Sequence, residues 1–165
     1  MHNPWRKYLL GVSVLFALAY EGSFAARVAL ADLAYFGLER DVVFWGDGER
    51  RPSVEQVTAA QSVLDTALAR RPAHADYLAM QARLYAWQGL IGNPAAADEQ
   101  FKLALASMRQ SLQQRPGNPY SWAQYAEYLT TQQGSGTELA VAVETARTLG
   151  PGDPKLQTRM QALIR

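Results

Sequence analysis

The chain contains no cysteine, which excludes a disulfide framework, zinc–thiolate sites and thiol catalysis. Histidine is almost as scarce: His2 and His74 are the only two, so a histidine-dependent triad or metal cage would have to use one of them. A surplus of one charge is missing too. Sixteen Lys and Arg stand against fifteen Asp and Glu, a net charge of +1, too balanced for a nucleic-acid-binding surface. There is no Gly-rich phosphate loop and no nucleophile elbow, and no stretch alternates apolar and polar residues for long enough to make a strand. The expectation is therefore an all-α protein without catalytic, cofactor or metal residues. Its 165 residues, 48% of them hydrophobic, suffice for one domain with a sizeable core.

One long apolar run stands at the N-terminus. Arg6 and Lys7 precede Tyr8–Tyr20, and the run continues through Glu21, Gly22 and Ser23 to Ala26, 19 residues in all. A bilayer span needs about 20, and Trp5, Tyr8, Tyr20 and Phe24 lie where interfacial aromatics would. Three readings compete: a membrane anchor, a signal peptide cleaved after Ser23-Phe24-Ala25, or a buried helix of a soluble domain. The basic flank orients an anchor with its N-terminus cytoplasmic and the rest of the chain periplasmic. On that reading residues 1–26 are a single-pass inner-membrane anchor and 27–52 an amphipathic helix with an irregular linker. The irregular part runs from Gly37 to Pro52, with Gly46-Asp47-Gly48 as its turn. The acids Asp41, Asp47 and Glu49 do not have calcium-loop spacing.

Residues 53–165 are punctuated by proline and glycine, and the spacing predicts helices over 53–70, 75–88, 95–114, 119–132, 137–149 and 154–164. Ser53-Val-Glu-Gln56 is a capping-box pattern. Inside these helices a pattern returns. Ala60-xxx-Leu64-xx-Ala67-xxxx-Pro72 is followed by Ala104-xxx-Met108-xx-Ser111-xxxx-Pro116 and by Leu139-xxx-Val143-xx-Ala146-xxxx-Pro151. Leu68-xx-Arg71-Pro72 likewise matches Leu112-xx-Arg115-Pro116. The alternating helices carry Leu78-xx-Gln81-Ala82-xx-Tyr85 and Trp122-xx-Tyr125-Ala126-xx-Leu129.

In these motifs the chain resembles tetratricopeptide-repeat proteins, whose repeats are helical hairpins of about 34 residues. The resemblance covers residues 53 to 165, about two and a half repeats. It implies a short solenoid, closed by the polar last helix, whose first helices line a concave face that holds a partner. Carried over by register, that face presents Asp76, Ala79 and Arg83 from one repeat and Tyr120, Ala123, Glu127 and Thr130 from the next. Asp76, Arg83, Tyr120, Glu127 and Thr130 are the candidate partner-binding residues. One anchor followed by an Ala- and Arg-rich repeat domain also resembles the small VpsP-type proteins of exopolysaccharide biosynthesis. That implies an accessory scaffold whose partners are other envelope proteins, such as polysaccharide polymerase or export components. The contrasting expectations are a secreted, soluble helical-repeat binding protein and, behind it, a hydrolase or lyase acting on polysaccharide through Asp76 and Glu127.

Overall fold

The structure, a computed structural model, describes residues 5–46, 51–132 and 136–163. The fold is all-α, and no strand occurs among the described residues. The helices are α1 (Trp5–Gly46), α2 (Val54–Arg70), α3 (Ala75–Ile91), α4 (Ala97–Gln114, entered through a 3-10 turn at Pro94–Ala96), α5 (Pro119–Thr131), α6 (Gly136–Leu149) and α7 (Pro154–Ala162). Their starts follow from local chemistry. Ser53 and Gln56 close a reciprocal capping box, with the Gln56 amide donating to Ser53 Oγ at 3.2 Å and the Ser53 amide to Gln56 Oε1 at 2.8 Å. Asn118 and Asp153 each accept two amide bonds ahead of a proline at the first helical position, where the missing N–H removes no helical bond.

The large departure from expectation is α1. It runs unbroken for 42 residues, about 63 Å at 1.5 Å per residue, so residues 37–46 are helix and not linker. Asp47 to Arg50 of the expected linker, which include most of its turn, lie outside the described residues. Gly37 lies on the exposed side, where a Cβ would meet nothing, and it does not end the helix. A helical glycine costs about 1 kcal/mol against alanine. Beyond it Leu38, Val42 and Trp45 are buried, and each such side chain contributes about 1.5–3 kcal/mol. Upstream the helix changes character. Residues 11–27 are all exposed, which removes the buried-helix reading, and α1 is long and apolar enough to cross a membrane.

From Ala31 onward α1 is the first helix of a stack, in which every helix packs against its neighbours in sequence. Neighbours are antiparallel: Ser107 Oγ donates to Gln81 at 3.0 Å and Ser111 Oγ to the Ala75 carbonyl at 2.8 Å, pairing α4 with α3 end to end. Three hairpins result, α1–α2, α3–α4 and α5–α6, with α7 closing the end. The repeated small–large–small positions explain the close approach. Ala60, Leu64 and Ala67 are buried, as are Ala104, Met108 and Ser111, and Val143 with Ala146; Leu139 is half-buried. The core forms two clusters that share α3. Tyr77, Met80 and Leu84 face α1 and α2, while Ala82 and Ala86 face the hairpins that follow.

The loops returning from each hairpin are latched alike. Arg71 Nη1 reaches Asp32 of α1 at 3.0 Å, and 44 residues on in both partners (71 to 115, 32 to 76) Arg115 pairs with Asp76 of α3. Gly150 stands at the third position. A Cβ there would collide with Leu156 and crowd Pro119 at 3.2 Å, and Tyr120 instead donates to Asp153 at 2.6 Å.

Because Trp45 belongs to the core, Trp45→Ala is expected to destabilise the folded domain by about 3 kcal/mol, as is Leu64→Ala. Urea unfolding of the full chain in mild detergent, followed by far-ultraviolet circular dichroism, measures both. A Trp45→Ala effect within about 0.5 kcal/mol of zero would mean that residues 37–46 contribute nothing to the domain.

Candidate functional site

The odd-numbered helices run side by side in one direction. Tyr35 of α1 lies against Tyr77 of α3 with ring centroids 4.9 Å apart, and Trp45 meets Trp87 edge-on at 6.4 Å. Both pairs keep the same offset of 42 residues (35 to 77, 45 to 87). Glu127 pairs with Arg159, and Tyr120 with Asp153, joining α5 to the start and body of α7 in the same way. This arrangement leaves one concave groove of about 780 Å³ crossing all four helices.

Its wall is mixed in character. Tyr35, Glu39, Val42 and Val43 come from α1, Asp76, Ala79, Arg83 and Trp87 from α3, Asn118 from the cap of α5, Tyr120, Ser121 and Gln124 from α5 itself, and Arg159 from α7. Most charges here are already paired. Asp76 is held by Arg115 at the rim, and Arg159 by both oxygens of Glu127. Arg83 differs. It is half-buried in the groove wall, and among the described residues it makes no hydrogen bond or ion pair. Close by, burial pushes the Tyr128 hydroxyl above its ordinary value of 10.0 while the Arg83 charge pulls the other way. A half-desolvated guanidinium without an ion-paired carboxylate is a ready donor to one, and its five N–H groups favour bidentate contact.

Of the sequence-predicted residues, the structure gathers Asp76, Ala79, Arg83 and Tyr120 onto one wall. Glu127 stands behind it, reaching the groove through Arg159. Thr130 does not line the groove; it is exposed, and its hydroxyl donates to the Ala126 carbonyl at 3.0 Å. Ala123 is fully buried in the core and cannot contact a ligand. Tyr35 and Glu39 were not foreseen, because α1 was not read as part of the stack. A signal for it was present: Tyr35-xx-Leu38-xxx-Val42-xx-Trp45 has the spacing of Tyr77-xx-Met80-xxx-Leu84-xx-Trp87. Arg159 and Gln124 were also missed, since charged and amide residues carry no such period.

The acid–base alternative finds little support in this geometry, since Asp76 and Glu127 each carry an arginine where a general acid needs a carboxyl kept from cations. His74 is the N-cap residue of α3 but makes no capping bond. It packs on the Tyr77 ring at 4.4 Å, and burial lowers its pKa below 6.5. No three His, Asp or Glu side chains among the described residues are grouped to hold a metal.

Neither a protein-family model nor a curated protein matches the chain.

Tyr120 also tunes its neighbour. Its hydroxyl, followed by the α7 amides, holds the Asp153 carboxyl below the usual 3.8. A folded pKa below the unfolded one gives stability that is present above pH 3.8 and lost as the pH falls through the folded value. Tyr120→Phe is therefore expected to return the Asp153 pKa toward 3.8, read by NMR titration of the carboxyl carbon. The stability gap between the two proteins should close at lower pH. An unchanged Asp153 titration would show that the bond does not form in solution.

Proposed function

We propose that this chain is a non-catalytic, membrane-anchored interaction protein whose helical domain binds an extended segment of a partner envelope protein in its groove. The observation that carries the reading is the double use of α1. One helix supplies both the exposed apolar stretch of residues 11–26 and four groove-lining residues, Tyr35, Glu39, Val42 and Val43. Retention of the anchor is favoured by that continuity, because a signal peptidase needs an extended segment and Ser23-Phe24-Ala25 lies inside the helix. Arg6 and Lys7 favour a cytoplasmic N-terminus, with the domain in the periplasm and the span in the inner membrane.

The groove suits a peptide better than a small metabolite. It is long, open and made by four parallel helices, and its aromatic rings supply large contact area at low entropic cost. The helical-hairpin stacking and the small–large–small periods support the tetratricopeptide-like reading, and the first helices carry the partner-facing wall as in that family. The resemblance to VpsP-type proteins supports an accessory role in exopolysaccharide synthesis or export, with polymerase or export components as partners. Arg83 is the residue assigned to a partner carboxylate.

The full chain, carrying a photo-crosslinking residue at Ala79 in the groove or at the exposed Ala106 on the back of α4, tests this in cells. Crosslinks to one defined envelope protein are expected from Ala79 and absent from Ala106. Arg83→Ala should lower the yield about tenfold, the equivalent of 1.4 kcal/mol. Equal labelling from both positions would remove the groove from the interface. Intact mass bears on the anchor: a mature chain beginning at Ala26 and released by osmotic shock would overturn retention.

A further inference from the structure

The end of the domain nearest the proposed span can be located by counting residues along α1. The apolar stretch Tyr8–Ala26 spans about 28 Å at 1.5 Å per residue, close to the roughly 30 Å hydrocarbon core of a bilayer. Asp32 follows only six residues later, about 9 Å further along a helix that has no hinge. The headgroup layer occupies about 5–8 Å on each side, so Asp32 stands at its outer boundary. Arg71 is bonded to Asp32 at 3.0 Å, which brings the Arg70–His74 loop to that height. The antiparallel stacking then puts every returning loop on the same edge: Arg115–Asn118 is tied to Asp76 at the start of α3, and Gly150–Asp153 to Tyr120 at the start of α5. The connection through Gly92–Ala96, the end of α5 at Thr131 and the start of α6 at Gly136 lie on the opposite edge.

The chemistry of the near edge is asymmetric. Its acids are all engaged: Asp32 by Arg71 and Tyr77, Asp76 by Arg115, and Asp153 by Tyr120 and the α7 amides. Arg27, Arg70 and Lys155 are exposed on this edge and hold no ion pair among the described residues. On the far edge Glu55, Asp98 and Glu99 lie in the first turns of α2 and α4, with Asp98 paired to Lys102 and Arg51 exposed just before α2, so that edge carries no surplus of free cations.

We propose that this loop edge rests on the membrane surface and binds anionic phospholipid headgroups through Arg27, Arg70 and Lys155, fixing the domain upright with its groove parallel to the bilayer plane. The inference rests on the anchor reading. Fixed cations within a Debye length of an anionic bilayer are attracted to it, and a rigid helix presents them without the entropy loss of ordering a linker.

The absence of cysteine makes the test direct. Full-length Ala73→Cys (near edge) and Ala95→Cys (far edge) are labelled with a fluorophore and placed in nanodiscs that contain headgroup-spin-labelled lipid. In anionic discs, quenching at position 73 should exceed that at 95 severalfold. The excess should shrink in zwitterionic discs and in the Arg70→Glu/Lys155→Glu variant, each lost cation weakening the contact about fivefold. Neither side chain holds the fold together, and circular dichroism of the variant checks that. Equal quenching at both positions in inserted protein would overturn the inference while leaving the anchor standing. An excess indifferent to lipid charge would overturn the headgroup assignment. Failure of the chain to co-elute with discs would overturn the anchor reading itself and this inference with it.

Discussion

The continuity of α1 is the constraint on which the rest of the molecule depends. A helix that leaves the apolar stretch at Ala26 and is already packing at Ala31 gives the domain no freedom to turn against its own N-terminus. Its persistence past Gly37 is a tertiary effect. The intrinsic preference there is against helix, but burial of Leu38, Val42 and Trp45 against α2 and α3 outweighs it several times over. The same burial explains why a short stack can stand with only three hairpins. Repeat proteins need their end repeats covered, and α1 covers one end while α7, with Leu156 and Met160 buried and a polar outer surface, covers the other.

Stacking also needs a fixed register, and two kinds of contact divide that work. Dispersion and burial between Ala60, Ala67, Ala104, Ser111 and Ala146 and their neighbours bring the helices close, but small side chains alone allow sliding. The repeated Arg71–Asp32 and Arg115–Asp76 latches are partly exposed and so contribute little net stability, about 0–1 kcal/mol each. Their geometric role is larger, because each ties the loop after one hairpin to a set height on the helix before it. Behind the second hairpin a further network does the same. Arg109 Nε donates to the Tyr125 hydroxyl at 2.6 Å, and Tyr125 donates to Glu138; burial, then the Glu138 bond, pushes the tyrosine up to about 12.

Much of this was legible in the residues. Ser53-Val-Glu-Gln56, Asn118-Pro119 and Asp153-Pro154 announced three helix starts, because capping is local chemistry that distant packing seldom overrides. The small–large–small spacing pointed to the buried face of the second helices for the same reason that makes it pack. What stayed hidden was α1 beyond Gly37. Glycines read locally as breaks, and the compensating burial comes from residues 15 to 50 positions away. The groove was read from register alone, which served for Asp76, Arg83 and Tyr120. It erred at Ala123, where α5 turns that position into the core, and at Thr130, which lies past the groove's end. Arg159 was beyond reach, since its place follows from how α7 docks on α5.

Function and position join at Arg83. Every other groove arginine has an acid partner within the fold, which leaves Arg83 as the one groove cation, and Glu39 as the one groove acid, without an ion pair among the described residues. In water that vacancy would be inexpensive, but in a groove walled by Tyr35, Trp87 and Met80 the lower dielectric raises the value of supplying the missing carboxylate. On the proposed reading a partner supplies it, at a wall that the continuous α1 would hold at a constant distance from the membrane. A partner segment that also emerges from the bilayer would meet that wall within a few residues of its own span. Confinement to the same plane raises its effective concentration, so modest contacts around one ion pair suffice for stable capture.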